Sequence, residues 1–583
     1  MNVWSEFLLV VLLAMSASVI AFALARRAVR IFPTISSKWA DRLFLLMALA
    51  YIVILGAMSI VRYLAFNTGY LDNSTAWDLA QYGQLVWNSL HGRLFEGTFI
   101  PDADMFLGKS FTPILLAFVP LYAVWASPMV LLITQTVALG VGGFPIYWFA
   151  RKRLGGGLAF LFGLAYFLSP GLENIGLTEF HEIALATPLL AYAMYFLMRE
   201  HYRGMLVCLA LALLVKEEIA FIAAIFGVYI FLFQRKRALG LALALFGIGW
   251  AAVLLQYLIP FFRGPGHGDA FYYFGEGTFG GGGTRYSYLG HSLAEIAANL
   301  VARPGVVWQV VVIPDKIEYV LHLLVPLAFL PLAGFDVFLL ALPTFGYSLL
   351  STYGLQYSIR SYYFAPLLPF LFFAAIVGMQ RLLARGTAKR RNALTALLFV
   401  AVIASYFLQA PGPLAAYFQP WRYELNEHTA LGNRLAGEIP SEALLVAQNE
   451  MLAHVSNRRA LYEIPIPDYR QVDYLFADTT RGWYDVHRGI WEDRLASGFF
   501  EIVTQQDGYI VAKRRTPAQR VTLRFGDVTL RGYTIVFGNA KPWGKTLRPI
   551  LEWQADQPVM ERYSIAARVW DLQGHLWLSL IHI

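Results

Sequence analysis

Long apolar runs recur along this chain, separated by short loops, and the basic clusters keep falling on one side of them. Runs of roughly eighteen or more apolar residues each read as a membrane span. Hydrophobic residues make up 58% of the 583 positions and charged residues only 14%. A soluble domain is about half apolar and about a quarter charged. The net charge of +8 does not point to nucleic acid. Basic residues gathered in short loops are the signature of membrane orientation. The single cysteine, Cys208, lies in an apolar run, which excludes a disulfide framework and a Cys-based metal site.

Residues 6–24 are apolar and precede Arg26, Arg27, Arg30, Lys38 and Arg42. Positive charge after the run, with no small-residue cleavage site, predicts a signal-anchor with its N-terminus outside. Residues 1–42 form this anchor and a basic cytoplasmic loop. Residues 43–66 then cross outward, and the polar loop 67–110 lies outside. Residues 111–125 are short and carry Pro113 and Pro120, which predicts a re-entrant or surface-lying helix. The runs 129–150, 158–172 and 183–198 follow, with Arg151-Lys152-Arg153, Arg199 and Arg203 inside.

Residues 205–215 and 219–233 flank Lys216-Glu217-Glu218. One long helix would put their basic ends on opposite sides, so a hairpin is predicted. Its arms reach roughly 17–22 Å at 1.5 Å per residue, short of a core of about 30 Å. The triplet then sits in a wet cavity. Runs 239–262, 317–332, 335–353, 362–383 and 393–408 bring the total to about twelve spans.

The organisation expected is a transmembrane domain over 43–410 with outer loops 67–110 and 263–315. Pro411-Gly412-Pro413 ends it. An extracytoplasmic α/β module is expected over 411–515, with buried strands at 444–447 and 474–477. A partial β-sandwich is expected over 516–577, from alternating strands at 521–525, 533–537, 550–553 and 565–570 and a turn at 571–574. Residues 578–583 match one reading frame of a common sequencing-library adaptor and are set aside as derived from it.

Charges at membrane depth cost about 2.5–3.5 kcal/mol each on insertion scales, so they face a cavity or a partner. Four groups fall on the outer side: Asp78; Glu173, Glu179, His181 and Glu182; Lys216, Glu217 and Glu218; and Arg360 with Tyr362 and Tyr363. Such a set suits sugar transfer from a lipid-phosphate donor. A carboxylate takes the proton of an acceptor hydroxyl, cations neutralise the phosphate, and His with carboxylates binds a divalent cation. The competing reading is that these charges pair with one another and hold short helices together. The run after His181-Glu182 lacks the second histidine of a zinc-protease helix, and the glycine run 275–283 lacks the Lys-Ser/Thr of a P-loop. A lone histidine at a helix start is more often a capping residue than a ligand, and the glycine run reads as a flexible cover.

Trp77-Asp78-Leu79-Ala80-Gln81, Trp87-Asn88-Ser89-Leu90-His91-Gly92-Arg93, Phe111-Thr112-Pro113-Ile114-Leu115-Leu116, Phe180-His181-Glu182, Val215-Lys216-Glu217-Glu218 and Ala447-Gln448-Asn449 through His454-Val455-Ser456-Asn457-Arg458 together resemble a family of bacterial and archaeal predicted membrane proteins of unknown function. The resemblance covers residues 43–480. That family is similar to the GT-C superfamily of polyprenyl-phosphate-sugar glycosyltransferases, which implies a GT-C-like helical domain and Asp78 as general base. On the sugar-transfer reading of these charges, Lys216, Glu217, Arg360, Lys109 and Gln81 are expected to bind substrate, and His181 with Glu182 to hold any divalent cation. The chain departs at Lys109-Ser110 and at Arg360-Ser361-Tyr362-Tyr363, where histidines are expected. The loss of two candidate ligands favours phosphate held by cationic side chains over a metal.

The expected function is thus an inverting glycosyltransferase of the cell membrane, multi-pass, with its C-terminal region extracytoplasmic. Its partners would be membrane lipids, a polyprenyl-phosphate sugar donor and a glycan, lipid or protein acceptor. A transporter or flippase is the alternative, although no internal repeat is evident. A non-catalytic scaffold displaying the C-terminal modules is the third reading.

Overall fold

The computed structural model describes residues 36–69, 76–100, 103–265, 285–384, 386–466, 471–516, 519–525, 528–540, 544–555, 564–570 and 576–582. The expected anchor 6–24, the glycine run 275–283 and the turn 571–574 lie outside the described residues. The chain is mostly helical and divides into two compact units, Met1–Ile464 and Pro465–Ile583.

In the first unit, α1 (Ser37–Leu64) leads to α2 (Trp77–Leu90), and α3 (Met129–Leu154) is followed by α4 (Gly156–Phe167) and α5 (Pro170–Leu177). Among the described residues, four helices are long and apolar enough to cross a membrane: Ser37–Leu64, Met129–Leu154, Arg237–Arg263 and Ala388–Gln409. The pair α4 and α5, bent by 44°, makes a fifth if counted as one span. Pro170 at the start of α5 accounts for the break, since it cannot donate a helical hydrogen bond. Other apolar runs fold as helices of 10–17 residues, which reach only about 15–26 Å. Among the described residues, helix length and composition therefore account for four or five crossings; the twelve expected include the anchor 6–24, which lies outside them. The central helix is α3: 61% of its apolar window is buried, against 28% for the other three.

The segments around Lys216 are α7 (Tyr202–Ala212) and α8 (Ile219–Phe233), preceded by α6 (Ala186–Met198) and followed by α9 (Arg237–Val253). The main partner of α7 is α6, and that of α8 is α9, so the two arms flanking Lys216 each pack chiefly elsewhere. Glycines set the approach of α8 to α9. A Cβ on Gly227 would lie 2.3 Å from the backbone nitrogen of Ala244, and one on Gly247 would lie 2.5 Å from that of Ala224. Small residues at such crossings let helix backbones meet in lipid, where no hydrophobic force pulls them together.

The rest of the first unit carries the short parallel pair β1 (Leu445–Ala447) and β2 (Leu461–Glu463). It is tied to the loop and helix that carry Asp78. Gln84 of α2 donates to the Arg459 carbonyl at 3.1 Å, and the Leu461 amide donates to Thr98 Oγ1 at 3.1 Å. His454 stacks against Tyr63 and Phe66 at 4.2 and 3.8 Å.

The second unit contains β3 (Tyr474–Asp478), β4 (Phe500–Gln506) and β5 (Tyr509–Arg514), antiparallel with β5 between the other two. Then come an antiparallel sheet of β6 (Gln519–Phe525), β7 (Val528–Ala540) and β8 (Gly544–Ala555) and an antiparallel pair of β9 (Ser564–Trp570) and β10 (Leu576–His582). The alternating runs of the sequence fall on these strands.

The α8–α9 contact generates a first prediction. Gly247→Ile forces two backbones apart and should cost about 1–3 kcal/mol, the usual penalty of overpacking. Thermal unfolding in detergent measures it. An unchanged melting temperature would contradict the close approach.

Candidate active site

Helix α2 begins at Trp77, which places Asp78 in its first turn, where the helix dipole favours a negative charge. The backbone amides there lack helical partners, and that of Leu79 donates to Glu179 Oε2 at 3.0 Å. Glu179 follows α5 by two residues. From there the chain runs extended through His181, whose φ and ψ are −135° and 129°. In extended chain, residues two apart project to the same side, so Glu179 and His181 both reach toward α2.

Buried polar groups hold the two segments together. Gln135 of α3 accepts from the His181 amide at 2.9 Å and donates to the Ile175 carbonyl at 2.8 Å. Arg62, in the last turn of α1, donates to the carbonyls of Asn67 (2.9 Å), Gly69 (2.6 Å) and Leu177. Arg422 also donates to Gly69 at 2.7 Å. One buried guanidinium thus grips the loop before Asp78 and the end of α5 before Glu179.

His181 Nε2 lies 2.9 Å from Asp78 Oδ2, and its Nδ1 lies 3.1 Å from the Glu179 carbonyl. A carbonyl only accepts, so Nδ1 carries the proton on that side. The position between Nε2 and Asp78 therefore takes a shared proton or a cation. The imidazole is 1% exposed and stacks on Tyr362 at 3.5 Å, whereas the Asp78 side chain is 25% exposed. Asp78 is the member of the pair that solvent reaches. Burial opposes its ionisation, but the hydrogen bond and charge of His181, aided by Lys109 and Lys216, outweigh burial and hold the carboxyl below the ordinary carboxylate range.

Two cations flank this pair. Lys216 Nζ is buried and lies 3.1 Å from Glu182 Oε1, while Tyr82 donates its hydroxyl to Glu182 Oε2. The same ammonium lies 5.8 and 5.9 Å from the ring centres of Tyr362 and Tyr363. Lys109 Nζ lies 3.4 Å from Gln81 Oε1 and 4.8 Å from the Trp77 ring centre.

The structure thus brings together Asp78, Gln81, Lys109, His181, Glu182 and Lys216. Glu217 faces the neighbouring turn, accepting from Ser110 Oγ at 3.1 Å and the Phe111 amide at 3.0 Å. Arg360 is exposed, with its guanidinium 5.1 Å from the Tyr417 ring centre.

One cation absent from the sequence-based set is Arg285. It is buried and donates to Tyr363 Oη at 3.0 Å and Gln356 Oε1 at 3.1 Å. Tyr362 in turn donates to Tyr363 Oη at 3.1 Å, which links Arg285 to the ring stacked on His181. Its only sequence signal was a lone arginine between a glycine run and Tyr286-Ser287-Tyr288. Among the described residues, the group with the spacing of a metal site is Asp78, Glu179 and His181, whose ligand atoms lie within 4.8 Å of one another. One imidazole nitrogen and two carboxylates form a donor set that divalent cations take. Glu182 is engaged instead by Lys216 and Tyr82.

Residues 70–511 match the family model described as Predicted membrane protein (DUF2079). The chain belongs to this family. Two solved structures are similar. ArnT from Cupriavidus metallidurans bound to undecaprenyl phosphate is 13% identical, with a TM-score of 0.45, and the match covers 79% of this chain and 98% of that one. The same ArnT in the apo state is 11% identical, with a TM-score of 0.44 and coverage of 80% and 98%. No curated protein matches the chain.

The Lys216–Glu182 pair yields a prediction that separates charge from packing. Breaking a buried pair from one side costs about 3–5 kcal/mol, whereas neutral replacement of both partners is often tolerated. Lys216→Met should therefore lower the melting temperature sharply, and Lys216→Met with Glu182→Gln should recover most of the loss. A double variant no more stable than the single one would contradict the pairing.

Proposed function

We propose that this protein is an integral-membrane glycosyltransferase that moves a sugar from a polyprenyl-phosphate donor to an extracytoplasmic acceptor. The observation that carries the reading is Asp78: one ionised carboxylate, open to solvent on one side, held by His181 on the other, between two lysines. The donor class rests on the sequence resemblance to the GT-C superfamily.

In this reading an acceptor hydroxyl gives its proton to Asp78 as its oxygen bonds to the anomeric carbon. The bond from that carbon to the phosphate oxygen breaks, and its electron pair leaves with the polyprenyl phosphate. A single displacement inverts the anomeric centre. Lys216 and Lys109 stabilise the charge that develops on the departing phosphate, as preorganised cations do in a water-poor site. Arg285 supports Tyr363 beside Lys216. His181 orients Asp78, and Gln81 holds the Lys109 ammonium. If a divalent cation takes part, Asp78, Glu179 and His181 would hold it, and it would supply Lewis-acid charge stabilisation. The acceptor side is extracytoplasmic, with the C-terminal modules at 411–515 and 516–577 on that side.

The test uses the purified protein in detergent, a polyprenyl-phosphate sugar and a measurement of released polyprenyl phosphate. Asp78→Asn should lower turnover by a factor on the order of 10²–10⁴, the usual contribution of a general base, while leaving the protein folded. Full turnover in that variant would remove the assignment. Turnover that survives a chelator supports the cation-free form, and loss restored by added magnesium assigns the cation.

The pH profile provides a further prediction. The His181 hydrogen bond lowers the Asp78 pKa, so removing it must raise that pKa. In His181→Ala the acidic limb of kcat/KM should shift toward neutral pH, with activity lost first at the acid end. An unmoved limb would show that Asp78 is not the titrating base.

A further inference from the structure

Two short helices between Arg285 and Ile317 carry an apolar surface that neither the core nor the candidate site uses. Helix α10 (Leu293–Ala302) is capped by Ser292, whose hydroxyl accepts from the Glu295 amide at 3.2 Å. Helix α11 (Pro304–Val311) follows after Arg303, with Pro304 opening its first turn. The two have 10 and 8 residues and reach only about 15 and 12 Å. Neither can cross an apolar core of about 30 Å.

Their sequence is nevertheless apolar. Over residues 293–313 the charged residues are Glu295 and Arg303 alone. Asn299 turns inward and donates to the Leu289 carbonyl at 2.7 Å. No residue of α11 is buried, and Val301 and Trp308 are 83% and 69% exposed. Ala294, Ala297 and Ala298 are exposed as well and share a helix face with Val301. Val306 and Val312 extend this surface, and Ile317 carries it on to α12 (Pro314–Leu324).

The other side of the pair is anchored. Helix α11 packs on α13 (Leu342–Leu350). Buried Lys316 donates to the carbonyls of Val310 at 2.9 Å and Leu349 at 2.6 Å. Just upstream, Tyr286 and Tyr288 donate to the carbonyls of Tyr347 at 3.0 Å and Leu350 at 2.8 Å. Tyr347 in turn donates to Glu218 Oε1 at 2.7 Å. The pair is thus tied to the end of the bundle that carries Asp78, Lys216 and Arg285.

A contiguous apolar surface of this kind rarely faces water. Lipid is the occupant that the rest of the chain favours. The crossing helix Arg237–Arg263 also turns large apolar side chains outward, Leu245 and Phe261 among them. Helices with an apolar face that do not span lie at the boundary of headgroups and acyl chains, and tryptophan gathers at that depth. We propose that α10 and α11 lie in the headgroup layer of the leaflet at the Asp78 end, with Val301, Val306 and Trp308 in contact with lipid. The inference does not depend on the reaction assigned to Asp78. The pair would set the depth of that end of the bundle and bring headgroup phosphates to the level of Lys216 and Arg285.

The test uses the full-length protein in nanodiscs of phosphatidylcholine and phosphatidylglycerol. Cys208 is the single cysteine, so Cys208→Ala provides a background for one nitroxide label per variant. Labels go on Val301→Cys, Val306→Cys and Trp308→Cys. Leu245→Cys in the crossing helix and Asp493→Cys, exposed in the second unit, supply the references. Electron paramagnetic resonance compares collisions with oxygen, which concentrates in lipid, and with a water-soluble nickel chelate. The oxygen-to-nickel ratio at the three test positions should be several-fold above that at Asp493→Cys and approach that at Leu245→Cys. A ratio at Val301→Cys or Trp308→Cys no higher than at Asp493→Cys would overturn the proposal. Low access to both reagents would overturn it too, and spin–spin broadening would then mark a second copy on this face. Val301→Cys and Val306→Cys replace exposed side chains of similar size, so the test stands even if Trp308→Cys does not fold.

Discussion

Within an apolar bundle, a charged group without a partner costs several kcal/mol, and that constraint organises the ends of these helices. Lys216 is buried and is met by Glu182, which also takes the Tyr82 hydroxyl. Arg62 is buried and is met by three backbone carbonyls. Asp78 is met by His181. Each match joins segments far apart in sequence, so the charges that look costly one by one are also the ties that bring the loop before Asp78 to the end of α5. Asp78 stands out because its compensation is incomplete on the solvent side. A carboxylate held ionised and still reachable is suited to taking a proton.

Topology made part of this site legible in the sequence. Basic clusters suggested a side for each loop, and from that reading Asp78, His181 and Lys216 were expected at one end of the bundle. Lys109 and Gln81 came with them, because Lys109 belongs to the same outer loop as Asp78 and Gln81 lies on the same helix. The remainder depended on direction. Glu179 projects toward α2 only because the chain through His181 is extended, and a sequence run does not reveal that. Arg285 sits beside a glycine run that carries no periodicity. Arg360 is itself exposed between the buried Ile359 and Ser361, and its guanidinium lies over the Tyr417 ring instead of in the cluster.

The helices show the same division. Strongly apolar runs such as Ser37–Leu64 and Met129–Leu154 were legible as spans. Apolar composition alone does not report where proline and turns break a run, and the 44° bend between α4 and α5 is one such break. Nor did it report that α7 and α8, adjacent in sequence, would each pack chiefly on another helix. The strands of the second unit follow the alternating runs closely, because a period of two is a direct consequence of the pleat. The break between compact units at Ile464 and Pro465 has no such signal; it falls one residue after β2.

The account centres on Asp78 as a base facing a phosphate held by lysines. Cryo-electron microscopy of the protein with a polyprenyl phosphate tests it most directly. The account predicts phosphate density within about 3 Å of the Lys216 ammonium, on the side of Asp78 that is open to solvent. Phosphate density bound elsewhere, such as beside Arg360, with Lys216 still paired only to Glu182, would contradict it.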